Sequence, residues 1–268
     1  MATPALEFSD VTLIFDNVVA LDRVSFRVHP GDSLVILGAA ASGKSVLLKL
    51  ALGLLQPDAG EIYLFGEQIS RMSEADLLPY RQQVGMVFQE SALFDSLTVF
   101  DNVAYPLVNR DGGSAAEPDD VAPRVLEALR FVELEHAVDK LPSELSGGMR
   151  RRVAIARAIV GEPRLVLYDS PTAGLDPITA HTIVTLILKE RDTAGVTSLI
   201  VTHRLQNAHL VTNFRYDSDS GDLVPAAAAP ASRTELLVLR QGRVAFRGSQ
   251  QELALEQDAY VRKFVMKR

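Results

Sequence analysis

The run Gly38-Ala39-Ala40-Ala41-Ser42-Gly43-Lys44-Ser45 follows the spacing G-x-x-x-x-G-K-[ST]. Glycines in that spacing let a backbone wrap closely around phosphate oxygens. Amide N–H groups and the start of the next helix then supply positive potential. Lys44 is placed to neutralise the outer phosphates of a nucleoside triphosphate, and Ser45 to offer its hydroxyl to Mg²⁺. The plainer reading is a glycine-rich turn with an exposed lysine. Arg164 to Asp169 is an apolar run closed by a carboxylate. A phosphate-loop enzyme needs such an aspartate beside the loop to hold Mg²⁺. Taken alone, it reads as a turn residue or a helix cap.

A third segment, Leu145-Ser146-Gly147-Gly148-Met149 followed by Arg150-Arg151-Arg152, is odd for a helix start. Ser146 is a good N-cap. The two glycines cost helix stability, roughly 1 kcal/mol each, and the arginines oppose the helix dipole. An anion docked on that helix end would account for both. A glycine-rich cap with a solvated arginine face would also fit.

These residues need elements to position them. Ser33 to Leu37 is a short apolar run of the kind expected for a strand buried on both faces. It leads into the loop, and an apolar helix, Lys44 to Leu55, follows, so the motif has its strand–loop–helix context. Leu6–Val11, Ser25–Val28, Glu61–Phe65, Val84–Phe88, Arg164–Tyr168 and Val196–Val201 read as further strands, and Asp176–Ala194 as a helix. Strands alternating with helices predict an α/β chain with a mostly parallel sheet. From about Glu90 to Ile159 aromatic, Ala and Leu residues recur at helical spacing, interrupted by a polar break at Asn109–Asp120. Phe214 to Thr234 has no apolar period and is expected to be a flexible insertion. Leu236 to Phe246 reads as a hairpin turning at Gln241-Gly242, and Gln250 to Met266 as a closing helix.

Composition excludes several classes. With 47% hydrophobic and 23% charged residues in 268, the chain has enough apolar material for a full core. It has no cysteine, hence no disulfide or thiolate metal site. A net charge of -7 removes the domain-wide basic footprint of a nucleic-acid binder. The N-terminus has no basic and apolar signal pattern, and no run reaches the roughly 18 apolar residues of a spanning helix. A membrane role is therefore expected to go through a partner.

Together and in this order, the segments resemble the ATP-binding cassette (ABC) ATPase family over about residues 6 to 210 and again at the closing hairpin. The resemblance implies a P-loop NTPase fold with a RecA-like core, a small antiparallel β subdomain and a helical subdomain. In that scheme the chain is a single domain, residues 1–268. Residues 1–89 and 160–268 make the core and β subdomain, and about 90–159 the helical subdomain. ATP and Mg²⁺ are the implied cofactors. Phe15 resembles the aromatic that stacks on adenine, and Gly38 to Val46 the loop that holds the phosphates. Ser146, Gly147 and Gly148 resemble the motif that binds the γ-phosphate held by the opposite subunit. Ser45, Gln89 and Asp169 resemble the Mg²⁺ ligands, and Ala173 to Asp176 the loop crossing a dimer seam. His203 resembles the switch histidine on the γ-phosphate, and without the family's glutamate Gln89 or His203 would have to position the attacking water.

A narrower likeness lies in Ser91-Ala92-Leu93-Phe94-Asp95, Thr98 to Leu107 and Pro142 to Met149, which resemble the ATPases of Mla/Mce-type lipid transport systems. It implies a homodimer on the cytoplasmic side of a bacterial inner membrane. The implied partners are an MlaE-like integral-membrane permease and, through it, a Mce-domain lipid-binding protein. The apolar residues around Phe94 and Phe100 suit the groove that a permease helix needs, or simply core packing.

Three residues depart from the family pattern. Ser170 stands where the family has the glutamate that polarises water, and losing a general base costs about 10²–10⁴-fold in rate. A nucleotide-gated module with little hydrolysis is therefore the competing expectation. Ala41 replaces a glycine; if its φ is positive, the strain is roughly 1–2 kcal/mol. Val46 replaces a hydroxyl, losing a hydrogen bond to charged phosphate worth about 1.5–3 kcal/mol.

Overall fold

The computed structural model describes residues 3–109, 118–226 and 234–265. Hydrophobic alternation lays down the first hairpin, β1 (Leu6–Phe15) and β2 (Val18–Val28), paired from Leu6↔Val28 to Phe15↔Val18. Both strands are longer than the alternation predicts. Register shifts between Phe8 and Ile14, with Asp10 at φ 49, break the period without ending the pairing, as β-bulges do. Every residue of β3 (Ser33–Gly38) is buried. The helix after it, α1 (Lys44–Ala51), stops before Leu55, because Gly53 turns the chain at φ 64. Then come β4 (Ala59–Leu64), β5 (Glu67–Gln68), α2 (Glu74–Arg81) and β6 (Val84–Val87).

Three helices follow, α3 (Val99–Val108), α4 (Pro118–Phe131) and α5 (Gly147–Ile159). They close around Val103, Leu107, Val125, Leu129 and Val153, all fully buried. Thr98 caps α3, and the buried Asn102 side chain ties the carbonyls of Phe94, Leu97 and Thr98. Part of the expected polar break, 110–117, lies outside the described residues. The chain returns to the sheet as β7 (Leu165–Asp169), α6 (Pro177–Ala194), β8 (Thr197–Val201) and α7 (Leu205–Asn213).

The stretch expected to lack structure differs. Phe214–Asp217 (β9) pairs antiparallel with Asp222–Pro225 (β10), while 227–233 lie outside the described residues. Local period is too short to reveal this hairpin, because α6 holds it in place. Arg191 donates to the Phe214 carbonyl, and Asp192 accepts from the Tyr216 N–H at 2.7 Å. The closing hairpin is present as β11 (Thr234–Arg240) and β12 (Arg243–Gly248). The expected last helix is shorter: α8 (Gln250–Leu255) gives way to a 3-10 turn at Val261–Phe264, and Met266 lies outside the described residues. Asp258 bends the chain by accepting the N–H groups of Tyr260 and Val261.

The larger sheet has the order β12-β11-β3-β8-β7-β6, parallel from β11 to β6. The smaller, antiparallel sheet is β2-β1-β4-β5. Strand period divides the core between them. Leu34 and Ile36 of β3 join Phe8, Phe26 and Leu47 on one face, while Val35 and Leu37 join Tyr168, Val153 and Ile187 on the other.

Candidate functional site

The parallel register brings the carboxyl ends of β3, β8, β7 and β6 to one rim. Ile36 and Asp169 both pair with Val201, so the residues just beyond these strands emerge together. Ligands of open α/β sheets bind at such a rim. Beyond Gly38 the chain leaves the sheet as a loop in which Ala39, Ala40 and Ala41 are exposed. Ser42 is buried, and Gly43 turns at φ 103, where a side chain would strike the Ala20 carbonyl at 2.7 Å. Ala41 has φ 58, so the strain expected from replacing a glycine is present.

Lys44 folds back over this loop. Its Nζ donates to the carbonyls of Gly38 at 3.0 Å and Ala39 at 2.6 Å and to Ser42 Oγ at 3.2 Å. Burial lowers its pKa from the ordinary lysine value, opposed by the Asp169 carboxylate. Ser45 Oγ donates to Asp169 Oδ2 at 3.1 Å, across 124 residues of sequence. A hydroxyl and a carboxylate oxygen so placed are hard donors that suit Mg²⁺. The residues present therefore fit the implied ion. Val46 packs part-buried against the core and adds no polar group.

Gln89 sits two residues past β6, exposed on the same rim, and His203 is exposed two residues past β8. Ser170 follows Asp169 at φ 48, is 7% exposed, and gives its N–H to the Val201 carbonyl. No carboxylate or imidazole is hydrogen-bonded to its hydroxyl among the described residues. Phe15 ends β1 and is 44% exposed, opposite Val18, leaving a ring face open. Asp176 caps α6 by accepting from the Ile178 and Thr179 N–H groups, and the Thr179 hydroxyl, with these N–H groups, holds its carboxyl below the usual range.

Ser146, Gly147 and Gly148 are not brought to the loop of their own chain by any hydrogen bond among the described residues. Ser146 caps α5 through the Met149 N–H at 3.2 Å, and both Ser146 and Gly147 are exposed. Gly148 is tight against Thr179, whose Cγ2 lies 2.5 Å from where a Cβ would sit. Of the arginines behind them, Arg150 is exposed, Arg152 half-buried and Arg151 buried, so only part of the expected solvated face is present. Arg150 donates to the Leu145 carbonyl, Arg151 to that of Phe88 at 2.6 Å, and Arg152 to that of Val132. Arg151 is 5% exposed, and burial lowers its pKa against the pull of Asp169 and Glu90. The spacing alone did not reveal that these side chains reach back to carbonyls. The pairing of Arg151 with the strand end beside Gln89 has no sequence signal, because the partners are 63 residues apart.

A groove between the helical segment and the core is lined by Arg81, Phe88, Phe94, Tyr105, Pro106 and Arg157. Phe94 and Tyr105 pack with ring centroids 4.5 Å apart and planes tilted by 38°, each with more than a third of its surface exposed. Phe100 instead packs part-buried against the core.

The sequence profile of the ABC transporter family matches residues 21–173. The chain is 42% identical over 190 residues to the methionine import ATP-binding protein MetN of Carboxydothermus hydrogenoformans, covering 71% of this chain and 55% of that one. It thus spans little more than half the length of that relative. It is 41% identical over 198 residues to the intermembrane phospholipid transport system ATP-binding protein MlaF of Escherichia coli K12, covering 74% and 72%. Among solved structures it is similar to the dimeric ATP-binding cassette MJ0796 in a post-hydrolysis state bound to ADP and Pi. The TM-score is 0.75 at 29% identity, over 91% of this chain and 98% of that one.

Proposed function

Since the chain belongs to the ABC transporter family, we propose that it binds Mg-ATP as the nucleotide-binding subunit of a membrane transporter. The single observation that carries this reading is the Ser45–Asp169 hydrogen bond beside the folded-back Lys44. It sets a cation, a hydroxyl and a carboxylate on one strained loop rim. The loop from Gly38 to Val46 would wrap the phosphates, Lys44 would take their outer charge, and Ser45, Asp169 and Gln89 would hold the metal. Phe15 would stack on the base. Ser146 and Gly147 are exposed and Gly148 is half-buried behind them, and a second copy of the chain would bring this helix end onto the nucleotide. Closing that dimer would drive the transporter, and His203 and Gln89 would position water. In this reading residues 1–268 are one domain, with the segment of about 90–159 moving as a helical subdomain.

The groove at Phe88, Phe94 and Tyr105 supports docking of a permease helix, and with it a peripheral place on the cytoplasmic side of a membrane. The likeness at residues 91–107 to Mla/Mce-type ATPases favours phospholipid as cargo, with an MlaE-like permease and a Mce-domain protein as partners. One relative of similar identity is a methionine importer, so amino-acid import is the alternative. Co-purification from the source membrane, with the captured permease and its bound cargo identified, separates the two.

Ser170 supports a second reading. With no base on its hydroxyl among the described residues, the chain would hold ATP and close, yet hydrolyse little. Binding of Mg-ATP by the native chain and by Lys44→Ala tests the first reading. Steady-state turnover of the native chain beside Ser170→Glu separates it from the second.

A further inference from the structure

The C-terminal segment reaches the phosphate loop through one side chain. Tyr260 Oη accepts the Ala39 N–H at 3.1 Å and donates to the Leu239 carbonyl at 2.9 Å. These two backbone groups sit where the sheet opens. Leu239↔Gly38 is the last pair of the β11–β3 ladder, and Ala39 is the first residue to leave it. A loop that turns away to cradle phosphate must abandon its strand partner. That leaves one N–H and one C=O facing a gap, each costly if unpaired. The tyrosine hydroxyl spans the gap, so the ladder continues for one step through a side chain.

The segment that carries Tyr260 is itself held firmly. Asp258 accepts from the Tyr260 and Val261 N–H groups at 2.8 and 3.0 Å. Val261 is fully buried, and Phe264 packs edge-on to the Tyr260 ring at 5.4 Å. Arg240, at the end of β11, lies 5.3 Å over the same ring. A hydroxyl so anchored restrains the direction in which the loop leaves β3. The carbonyls of Gly38 and Ala39, which hold Lys44 Nζ, sit in the restrained stretch.

Resting on the nucleotide-binding reading above, we propose that Tyr260 is a positioning residue of the phosphate loop. The C-terminal segment, 256–265, is thereby coupled to nucleotide affinity. Whatever displaces that segment loosens the loop, and by reciprocity a bound nucleotide tightens the segment.

Tyr260→Phe keeps the ring contacts and removes only the hydroxyl. In the full chain we expect the Mg-ATP dissociation constant to rise about fivefold, the worth of one neutral hydrogen bond. Amides of residues 38–45 should exchange faster with solvent in the nucleotide-free variant. Its melting temperature should stay within about 4 °C of native. In the native chain, Mg-ATP should slow amide exchange in 256–265. If the variant binds as the native chain does and its loop exchanges at the native rate, the proposal is overturned. If the melting temperature collapses instead, Tyr260 is a core residue and the positioning role is also wrong. A native chain that binds no Mg-ATP sinks the nucleotide reading first and this inference with it, whereas a binding native chain beside an unchanged variant sinks this inference alone.

Discussion

The loop rim and the α5 N-terminus are both proposed to touch one phosphate chain, yet they are built differently. Around Lys44 the polar groups already meet one another within the chain: Nζ on two carbonyls, Ser45 on Asp169, Tyr260 on Ala39. A five-strand parallel ladder beneath the rim sets their spacing. At Ser146 the helix end is capped by its own serine, Gly147 is exposed, and the arginines are turned back onto carbonyls of their own chain. The first region is half a site that is organised before any ligand arrives. The second, in the proposed reading, is a surface that a second copy of the chain would complete. The difference teaches that preorganisation follows from strand register, whereas a helix end can remain unfilled at little cost when water solvates its N–H groups.

The comparison can be broken in several places. The largest expected effect is at Ser170. If the rim lacks only a base, Ser170→Glu should raise steady-state turnover by about 10²–10⁴-fold with little change in ATP affinity. No rise would mean that the rim is incomplete for another reason. Next, Lys44→Ala should weaken Mg-ATP binding by roughly 100-fold in equilibrium titration, as expected for losing a charge-assisted contact of about 3 kcal/mol. A Ser146→Ala control should bind nearly as well when monomeric and fail to dimerise with ATP, which sharpens the contrast between the two regions.

The third effect lies between β7 and α6. Tyr168 of β7 donates to Glu190 of α6 at 2.7 Å, both buried, beside a cavity of about 360 Å³ lined also by Arg124, Phe131 and Val160. Burial pushes the Glu190 carboxyl from its ordinary 4.5 up to about 7, and burial with the neighbouring Glu190 pushes Tyr168 well above its usual range. The folded protein then keeps a proton that the unfolded chain has released. Stability from this pair is full below about pH 4.5 and is lost as pH rises through about 7. The loss is of order 3 kcal/mol. Glu190→Gln should flatten the pH dependence of the denaturation midpoint between 5 and 7.5 (approximate bounds of that window). An unflattened slope would place the titration elsewhere.

The smallest effect is at Ala41. Glycine there relieves the strain of φ 58, and Ala41→Gly should tighten Mg-ATP binding by about threefold, offset in part by the added freedom of the unliganded chain. Weaker binding would mean that alanine's stiffness helps the loop.

Much of this was legible in order and spacing. The phosphate-loop spacing, the buried strands β3, β7 and β8, and the cap Ser146 are local facts. Each depends on a few neighbouring side chains and the two-residue or 3.6-residue period of the backbone. The helical segment between β6 and β7 was legible for the same reason. The sequence by itself thus determined which residues are candidates for the chemistry and in which elements they stand.

Tertiary structure alone decided what those residues touch. Ala39 and Tyr260 are 221 positions apart, and Arg151 and Phe88 are 63. Nothing in composition or period marks such pairs, because chain closure over those distances is set by strand order rather than by local preference. The β9–β10 hairpin was missed for a related reason: its order comes from Arg191 and Asp192 on α6, outside its own sequence. Local residue types name the chemistry, and the register of a parallel sheet decides which of them can meet.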